Sequence, residues 1–370
     1  MTPAGWDLTT WGEVVELRYG KALRDYRDAG GSVDVYGTNG PVGFTDVPQA
    51  KGPGVVVGRK GAYRGVHYAP RDFWVIDTAF YIAPRRPLDM RWAYYSLQLA
   101  DINGLDSGSA IPSTTRESFA GLRAQVPPLA EQQAIAEVLG ALDDKIAANT
   151  ALATVVDNYL AALLNEMASG AEITTLRSIA DVNRRSVKPK ADGNLRYVDI
   201  ASVAVGSFEY PEISAWSDAP GRARRGLSAG DTVWSTVRPN RRSHALNLED
   251  DALLVASTGL AILSPREVGF AYLYEVSRRP DFTAYLENVA EGSAYPAVRA
   301  ERFLEAPVPN LQADHIHMFE AQAAPLRELV ASQARENRTL AATRDALLPQ
   351  LMSGKLRVRD VEAAASEAGV

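Results

Sequence analysis

Two short stretches decide the fold, Gly108-Ser-Ala-Ile-Pro112 and Gly292-Ser-Ala-Tyr-Pro296. A phenylalanine stands seven residues after each proline, at Phe119 and Phe303. Three further matches occur in the same order in both halves, at an offset of about 180 residues: Asp77–Pro84 with Ser257–Pro265, Trp92–Tyr95 with Phe270–Leu273, and Ala124–Leu129 with Ala306–Leu311. One match could arise by chance, but five in the same order indicate that the chain contains an internal duplication.

Each copy ends in a segment whose apolar residues recur every three or four positions, the spacing of an amphipathic helix. These residues are Ile135, Val138, Leu139, Leu142, Ile146, Leu152, Val156, Tyr159, Leu160 and Leu163, then Ile316, Phe319, Ala323, Leu326, Val330, Leu340, Leu347 and Leu351. At ~1.5 Å per residue, a helix of about forty residues spans about 60 Å. Since the chain leaves by one helix and returns by the other, we expect an antiparallel coiled coil that separates two domains. The alternative is ordinary core packing inside one globular domain.

Both predicted helices carry an asparagine at an inward position, Asn149 and Asn337. A buried asparagine in a heptad seam lowers stability but fixes the register of the pair. We therefore predict that these two residues set the helix register. Pro325 and Pro349 should kink or interrupt the second helix, because proline lacks the N–H group that the helix ladder uses.

Between the helices, the sequence changes to short β-prone segments separated by Gly, Pro, Asn and Asp. The segments are Gly54–Gly58, Phe73–Asp77, Phe80–Ala83, Asp231–Ser235 and Leu253–Ala256, and the clearest short helices are Trp92–Asn103 and Tyr272–Leu286. The predicted fold class is α+β. Two β-rich mixed domains, related by a pseudo-two-fold repeat, would be separated by the two long antiparallel helices.

The composition excludes several classes of protein. The chain has no cysteine, which excludes a disulfide scaffold and thiolate metal sites and is typical of a reducing, cytoplasmic setting. From Met1 to Leu17 no basic region precedes an apolar run, so no signal peptide is expected. No stretch approaches ~18 uninterrupted apolar residues, so no membrane span is expected.

The net charge of −6, with a pI of about 5.4, by itself argues against a nucleic-acid binder. The charge is, however, sorted along the chain. From Lys51 to Arg91 there are eight positive and three negative residues, whereas from Leu129 to Gly170 there are one positive and six negative. A chain sorted in this way can bind DNA with one region and protein with another.

A search for catalytic motifs returns none. The chain has no G-x-x-x-x-G-K-[ST] loop, no correctly spaced G-x-G-x-x-G and no Asn/Asp-Pro-Pro-aromatic motif of an amino-methyltransferase. His315 and His317 lie two residues apart on a predicted helix, which places them on opposed faces and gives poor geometry for a shared metal. Asp143-Asp144-Lys145 matches the D-x-K tail of many nucleases, but on a long helix it is better interpreted as a solvated or partner-facing charge cluster.

Clusters of basic residues, with aromatic and amide side chains among them, form the positive signal. Any one of them is most simply a solubilising surface charge. Together they favour DNA, because Arg contacts phosphates and reads guanine bidentately, and Asn does the same for adenine. The candidate DNA-binding residues are Lys51, Arg59, Lys60, Tyr63, Arg64 and His67 in the first copy, and Arg184, Arg185, Lys188, Arg222, Arg224, Arg225, Arg238, Asn240, Arg241 and Arg242 in the second.

Several motifs resemble those of a known family, the specificity subunit of type I restriction–modification enzymes. Val126-Pro-Pro-Leu-Ala-Glu-Gln-Gln-Ala-Ile135 resembles the proline-rich start of the family's central helix. Leu347–Gly354 resembles the end of its distal helix, and Gly230–Asn240 resembles an element of a target-recognition domain. The resemblance covers nearly the whole chain. It departs at Gln312-Ala-Asp-His, where the first copy has Ala130-Glu-Gln-Gln, so the distal helix is expected to contact partners differently.

The resemblance implies a division of labour. Each target-recognition domain would read one half of a split, asymmetric site on double-stranded DNA, and the helices would set the gap and dock two modification subunits. The implied parts are residues 1–128 and 170–310 as target-recognition domains, 129–169 and 311–356 as spacer helices, and 357–370 as a tail. S-adenosylmethionine, ATP and magnesium would be held by modification and restriction subunits, which leaves this chain non-catalytic and without a metal.

Three alternatives remain open at this point. The first is the recognition subunit of a related enzyme in which one partner carries both methylation and cleavage. The second is a protein-interaction scaffold with two β-rich modules on a coiled coil, which the negative net charge supports and the Arg-rich loops oppose. The third is an enzyme whose site has no recognisable motif.

Overall fold

The structure, a computed structural model, describes residues 5–105 and 112–358. The repeat segment Gly108-Ser-Ala-Ile-Pro112, apart from its proline, and the tail from position 359 onward lie outside the described residues. The chain divides into two compact units. The first unit comprises residues 1–147 and 337–370, and the second comprises residues 148–336. Each unit therefore holds one copy of the duplicated sequence together with part of each long helix.

The first copy is built mainly from short strands, as its β-prone sequence predicts. Its elements are β1 (Asp7–Thr10), α1 (Trp11–Val14), β2 (Val15–Tyr19), β3 (Val33–Gly37), β4 (Gly40–Thr45), β5 (Gly54–Gly58), β6 (Val66–Ala69), β7 (Phe73–Val75), β8 (Ala79–Pro84), α2 (Met90–Gln98), α3 (Arg116–Ala120) and β9 (Arg123–Val126). The first long helix, α4 (Leu129–Met167), follows directly.

The second copy repeats this order. Its elements are β10 (Ile173–Thr175), β11 (Ala180–Val182), β12 (Asn194–Val198), β13 (Ile213–Ala215), β14 (Ala223–Gly226), β15 (Thr232–Ser235), β16 (His244–Leu246), β17 (Leu254–Ser257), β18 (Leu260–Pro265), α5 (Phe270–Ser277), α6 (Pro280–Asn288) and β19 (Pro307–Pro309). The second long helix, α7 (Ala313–Met352), ends the set. The predicted helix over Tyr272–Leu286 is thus divided in two, because Pro280 has no N–H for a continuous ladder.

The sheets confirm the duplication. The strand order β2-β8-β5-β6 in the first unit corresponds to β11-β18-β15-β16 in the second. A second sheet pairs β3 antiparallel with β4 and parallel with β7, and β12 makes the same two pairings with β13 and β17. In the second unit this sheet has an added edge strand, β14, which runs antiparallel to β17. A small antiparallel pair closes each unit, β1 with β9 and β10 with β19.

Each unit has its own apolar core, to which both long helices contribute. In the first unit, Trp11 stacks on Trp92 with ring centroids 6.1 Å apart. Ile135 and Leu351 belong to the same buried cluster. In the second unit, the corresponding cluster contains Leu160 and Phe319 together with α5 and α6. Because burial of large side chains dominates folding energetics, the two helices are part of the units that they support.

The long helices run antiparallel where they meet in the second unit. Asn149 Nδ2 donates to Glu336 Oε2 at 2.8 Å, and Arg327 Nη1 donates to Asp157 Oδ1 at 2.6 Å. Residue numbers therefore rise along one helix as they fall along the other. The helices contain 39 and 40 residues, so the expected length is confirmed. Asn149 is buried and Asn337 is half-buried, so the inward position predicted for the first is observed.

The predicted interruption of the second helix is wrong. Helix α7 continues through both Pro325 and Pro349. Each proline removes one ladder hydrogen bond, a local loss. Buried side chains lie on both sides of the first proline, at Ala323 and Arg327, and the second lies beside buried Leu348 and Leu351. This packing holds the helix together across each proline.

Helix α4 is long and apolar enough to pass a length-and-composition test for a membrane span. The sequence contains no long uninterrupted apolar run here, because charged residues divide the helix, so no membrane span was expected. Those charges are ion-paired within the units: Asp144 with Arg91, Asp143 with Arg344, and Asp157 with Arg278. Val156, Leu160 and Leu164 lie in the core of the second unit, whereas Leu152, Val155 and Tyr159 are exposed. In the most apolar 18-residue window of the helix, 17% of the residues are buried in the protein.

Candidate nucleic-acid interface

Two loops occupy equivalent places in the two copies. The first loop, residues 59–65, joins β5 to β6, and the second loop, residues 236–243, joins β15 to β16. The main chain of each loop is held at its start by a neighbouring turn. The N–H of Arg59 donates to the carbonyl of Thr78 at 3.0 Å, and the N–H of Thr236 donates to the carbonyl of Gly259 at 3.0 Å.

In each copy, the segment that contains the repeated proline holds the loop of that copy from the other side. Thr114 N–H donates to the Arg59 carbonyl at 2.9 Å, and Val298 N–H donates to the Thr236 carbonyl at 2.8 Å. Gly61 N–H donates to the Pro112 carbonyl at 3.0 Å, as Arg238 N–H does to the Pro296 carbonyl at 2.7 Å. These bonds define the register: Arg59 corresponds to Thr236, and Gly61 corresponds to Arg238.

In the first loop, Arg59 lies in an aromatic and cationic cluster. Its guanidinium carbon is 5.0 Å from the ring centroid of Tyr19, and that of Arg116 is 4.1 Å from the same centroid. Arg59 Nη1 also donates to the Asp77 carbonyl at 3.0 Å. Lys60 and Tyr63 are exposed at the tip. Arg59 of the loop and Arg116 of α3 therefore both lie on the ring of Tyr19, while Lys60 and Tyr63 are exposed on the same loop.

Arg64 has a different role from its neighbours. The residue is buried, and its guanidinium donates to the carbonyls of Gly61 at 3.0 Å, Ile102 at 3.2 Å and Asn103 at 2.6 Å. Its own N–H donates to Asn103 Oδ1 at 2.8 Å. Because all these partners are protein groups, this side chain anchors the loop to the chain after α2. A DNA contact by Arg64 does not follow from its position.

His67 lies beneath the loop. Its Nε2 is 3.1 Å from the Thr38 carbonyl. Burial lowers the pKa of His67, and the contact with that carbonyl opposes the shift only in part. Thr38 Oγ1 in turn donates to the Lys60 carbonyl at 3.0 Å and to the Thr78 carbonyl at 2.6 Å. The turn between β3 and β4 is thereby fixed against the loop, with Asn39 exposed at its tip.

The structure separates Lys51 from the other candidates in this copy. Lys51 precedes β5 and Arg59 follows it, and a five-residue strand spans roughly 17 Å. Lys51 Nζ bonds to Asp72 Oδ2 at 2.8 Å at that far end. This interaction raises the pKa of the exposed Lys51 amine. Lys51 therefore lies outside the surface that the first loop forms.

The second loop presents more cations. Asn240 and Arg241 are exposed on a short 3₁₀ turn, and half-buried Arg238 and Arg242 flank it. Both flanking arginines take the left-handed backbone conformation, with φ of 53°. The guanidinium of Arg238 lies 4.7 Å from the ring centroid of Tyr295, which is 70% exposed. Arg242 Nη2 turns inward and donates to the Arg278 carbonyl at 2.8 Å.

An aromatic stack supports the second loop from below. The ring of His244 lies over Trp234, with centroids 4.8 Å apart and an interplanar angle of 18°. His244 Nδ1 is 2.5 Å from the Arg242 carbonyl. His244 is fully buried, and burial lowers its pKa to about 4. A neutral ring at this position donates through Nδ1 and holds the end of the loop.

The other basic clusters of the second copy form one surface. The chain around Arg184–Lys188 runs beside β14, with Val187 N–H donating to the Arg224 carbonyl at 2.8 Å and Gly226 N–H to the Arg185 carbonyl at 2.9 Å. Arg185 Nη2 also donates to the Leu227 carbonyl at 3.0 Å. The candidates that are exposed on this surface are Arg184, Arg185, Lys188 and Arg222, whereas Arg224 and Arg225 are half-buried.

Arg222 connects this surface to the second loop. Thr258 N–H donates to the Arg222 carbonyl at 2.9 Å, and the adjacent Gly259 accepts from both the N–H and the Oγ1 of Thr236. The clusters at positions 184–188, 222–225 and 238–242 are thus brought together by β14, β15 and β17. Because the three clusters lie far apart along the chain, the sequence did not indicate that they are neighbours.

Three residues that contact the candidate arginines were not identified from the sequence. Tyr19 and Arg116 join Arg59, although they stand far from it along the chain. Tyr295 packs on Arg238 and is the variable residue of the Gly-Ser-Ala-x-Pro segment. Of the three, only Tyr295 could have been identified from the sequence. It occupies the variable position of a repeated motif, and a motif that holds a loop places its variable residue next to that loop.

Among residues 5–105 and 112–358, no group of three or more His, Asp or Glu side chains is placed to hold a metal ion. The carboxylates of the D-x-K match are both engaged. Asp143 accepts from Tyr95 Oη at 2.5 Å and from Arg344 Nη1 at 2.7 Å, and Asp144 forms a bidentate pair with Arg91. In the described part of the chain, the basic loops are therefore the principal candidate site.

The fold and the two loops define a class of protein. In this class a duplicated α+β unit presents a different basic loop in each copy, and the same main-chain hydrogen bonds support both loops. The type I restriction modification DNA specificity domain matches residues 3–158. The specificity subunit of the type I restriction enzyme MjaVIII of Methanocaldococcus jannaschii is 18% identical over 308 residues, covering 74% of this chain and 72% of that protein.

A solved structure has the same fold. The S subunit of a type I restriction–modification system from M. genitalium superposes with a TM-score of 0.64 at 17% identity, covering 94% of this chain and 96% of that one. The domain match spans the first copy and part of α4, and the second copy repeats its topology. By this domain match, by its curated relative and by its fold, the chain is similar to the specificity subunits of type I restriction–modification systems.

Proposed function

We propose that this chain reads a split DNA site, with one half read by each unit. The observation that carries the proposal is the repeated frame: the same main-chain hydrogen bonds hold the first and second loops, yet the side chains displayed differ. Gly61 in one copy corresponds to Arg238 in the other. Since sequence readout depends on side chains that reach base edges, two such loops would read different half-sites.

The residues fit base and phosphate contacts of different kinds. In the second unit, Arg238, Asn240 and Arg241 are available for base edges, because Arg pairs bidentately with guanine and Asn with adenine. Arg184, Arg185, Lys188 and Arg222 would neutralise phosphates beside them. In the first unit, Lys60 and Tyr63 lie at the loop tip, with Arg59 and Arg116 around Tyr19 behind it.

The chain would act as the addressing part of a larger assembly. The two long helices would set the unspecified gap between half-sites and dock two modification subunits, with the acidic α4 as the main docking surface. S-adenosylmethionine would be bound by those subunits, and ATP and magnesium by restriction subunits where they are present. Specificity subunits in general are non-catalytic, and the catalytic centres would lie on the partners.

The direct experiment combines assembly with site mapping. The full chain is purified with its modification subunit, and methylated adenines are mapped across a genome. We expect one split motif with a fixed gap. The absence of any split motif would rule out the proposal.

A loop exchange sharpens this test. Replacing Gly54–Gly65 with the equivalent loop of another specificity subunit should change one half-site only, because the two frames lie in separate units. As a matched control, an exchange within residues 359–370, which lie outside the duplicated copies, should leave the motif unchanged. A change in both half-sites after the first exchange would contradict separate reading.

A further inference from the structure

A partly buried chain of polar contacts in the second unit joins the helix pair to the second loop. Arg327, on α7, and Arg278, which follows α5, both donate to Oδ1 of Asp157 on α4, at 2.6 and 2.7 Å. The carbonyl of Arg278 accepts the guanidinium of Arg242 at 2.8 Å. Three contacts therefore separate the second long helix from the loop that carries Asn240 and Arg241.

The contacts are partly shielded from solvent, with the side chains of Asp157 and Arg278 33% and 16% exposed. Arg327 is 5% exposed and Glu275, its second partner, is 1% exposed. Arg327 Nε donates to Glu275 Oε1 at 2.8 Å. Two carboxylates thus neutralise two guanidinium groups. A buried pair that loses one partner leaves an uncompensated charge, so the arrangement has few alternatives and is geometrically specific.

Aromatic contacts reinforce the same connection. The ring of Tyr274 lies 4.8 Å from the guanidinium of Arg327 and 5.3 Å from that of Arg278. Its other neighbour is the ring of His244, with centroids 5.8 Å apart. His244 in turn contacts the Arg242 carbonyl. Both ends of the Arg242 residue, guanidinium and carbonyl, are therefore fixed by groups that pack against the helices.

We propose that Asp157, Arg278 and Arg242 are positioning residues for sequence recognition, through which the helix pair fixes the conformation of the second loop. This set is called the Asp157 relay. In this proposal the side chain of Arg242 has a structural role and points away from DNA, although Arg242 belongs to a basic cluster. The inference rests on the proposed function, and it predicts that contacts on the helices influence one half-site and not the other.

The test uses the full chain assembled with its modification subunit. Methylation rates are measured on duplexes that carry one altered base pair in either half-site. Arg278→Ala and Arg242→Ala should each lower discrimination at the half-site of the second unit by about tenfold or more. Discrimination at the other half-site should stay the same. Arg278→Lys, which keeps a cation for Asp157, should restore discrimination.

Arg279→Ala is the matched control. Arg279 is adjacent in sequence and its guanidinium also bonds to α4, through Asn165 at 2.8 Å, but it otherwise bonds to Asp281 and not to the loop. This variant should keep full discrimination. If Arg278→Ala does not assemble, Arg242→Ala still decides, because it removes only the loop end of the relay.

Two results would overturn the inference. Arg242→Ala could weaken binding equally for all sequences and lower the salt slope by about one contact, which would make Arg242 a phosphate ligand. Alternatively, both alanine variants could keep full discrimination while the unmodified complex shows a split motif. A missing motif in the unmodified complex would instead count against the proposed function itself.

Discussion

Arg238 adopts a left-handed backbone conformation, with φ of 53°, at the position where the first copy has Gly61, with φ of 119°. Both residues donate their N–H to the carbonyl of the repeated proline. A glycine takes this conformation readily, whereas for other residues it costs roughly 1–2 kcal/mol. The second copy therefore retains a strained residue where the first copy shows that a relaxed one fits, which points to a use for the arginine side chain.

Replacing Arg238 should separate recognition from stability. In Arg238→Gly the strain is relieved while the contact with Tyr295 is lost, so the free energy of unfolding should change by no more than about 1 kcal/mol. Base discrimination in the second half-site should fall strongly. Arg238→Lys serves as the control: it keeps the charge but loses bidentate readout, so affinity should persist as discrimination falls. Site mapping and chemical unfolding measure the two effects. Unchanged discrimination in both variants would exclude Arg238 as a reading residue.

Arg64 should be essential for folding of the first loop. Arg64→Ala leaves the carbonyls of Gly61, Ile102 and Asn103 without their donor, and we expect a loss of stability on the order of 3 kcal/mol. Chemical denaturation would show this as a lower unfolding midpoint. Lys60→Ala, on the same loop but exposed, should change stability by less than about 0.5 kcal/mol. Equal midpoints for the two variants would contradict the anchoring role.

Salt dependence should distinguish the two ends of β5. If Lys60 contacts a phosphate, Lys60→Ala should reduce the slope of log affinity against log salt by about 0.9. Lys51→Ala should leave the slope unchanged, because Lys51 pairs with Asp72 at the far end of the strand. Titration of the assembled complex onto a specific duplex at several salt concentrations would measure both. An equal effect of the two substitutions would place Lys51 on the DNA surface as well.

Acid should weaken the second unit through His244. The native pKa is about 4, lowered chiefly by burial, against an ordinary value of 6.5. Between these two values the unfolded chain binds a proton that the folded chain does not. Stability is therefore complete above pH 6.5 and falls as the pH drops toward 4, by up to roughly 3 kcal/mol. Unfolding curves at a series of pH values would show it.

A non-titrating variant provides the control for this pH effect. His244→Asn keeps an N–H donor near the Arg242 carbonyl but has no titration in this range. Its unfolding free energy should be lower at neutral pH because the stack on Trp234 is lost, yet less dependent on pH between 6.5 and 4. The same pH dependence in both proteins would assign the effect to another group.

If the two long helices set the gap between the half-sites, as proposed, then shortening both helices should shorten that gap. Removal of seven residues from both α4 and α7, in phase, preserves the heptad faces and shortens each helix by about 10 Å. The tolerated gap between half-sites should then shorten, while the half-site sequences stay the same. Site mapping measures both. An unchanged gap would mean that the helices do not set the spacing.

Much of the fold follows from sequence pattern. The duplication, both long helices and strand Gly54–Gly58 are visible because periodicity and repetition are properties of the chain itself. The continuity of α7 through Pro325 is different. It depends on packing around Ala323 and Arg327, which a proline rule does not contain.

The candidate site was predicted less completely, for a physical reason. Arg59, Arg64 and Lys51 look alike in sequence, since each is a cation near a β-prone segment. Their roles differ because one packs on Tyr19, one is buried among carbonyls and one pairs with Asp72. Side-chain direction at a loop is set by tertiary neighbours, and these neighbours stand up to about 40 residues away along the chain.

The hydrogen bonds that the two loops have in common join main-chain groups, and this has an evolutionary consequence. A bond between an N–H and a carbonyl does not depend on which side chain either residue carries, apart from proline at the donor. Mutations at Arg238, Asn240 or Lys60 can therefore accumulate without compensating changes in the supporting strands. New DNA targets would thus become accessible by point substitution or recombination at the displayed side chains, while the side chains that anchor the loops, such as Arg64 and His244, stay in place.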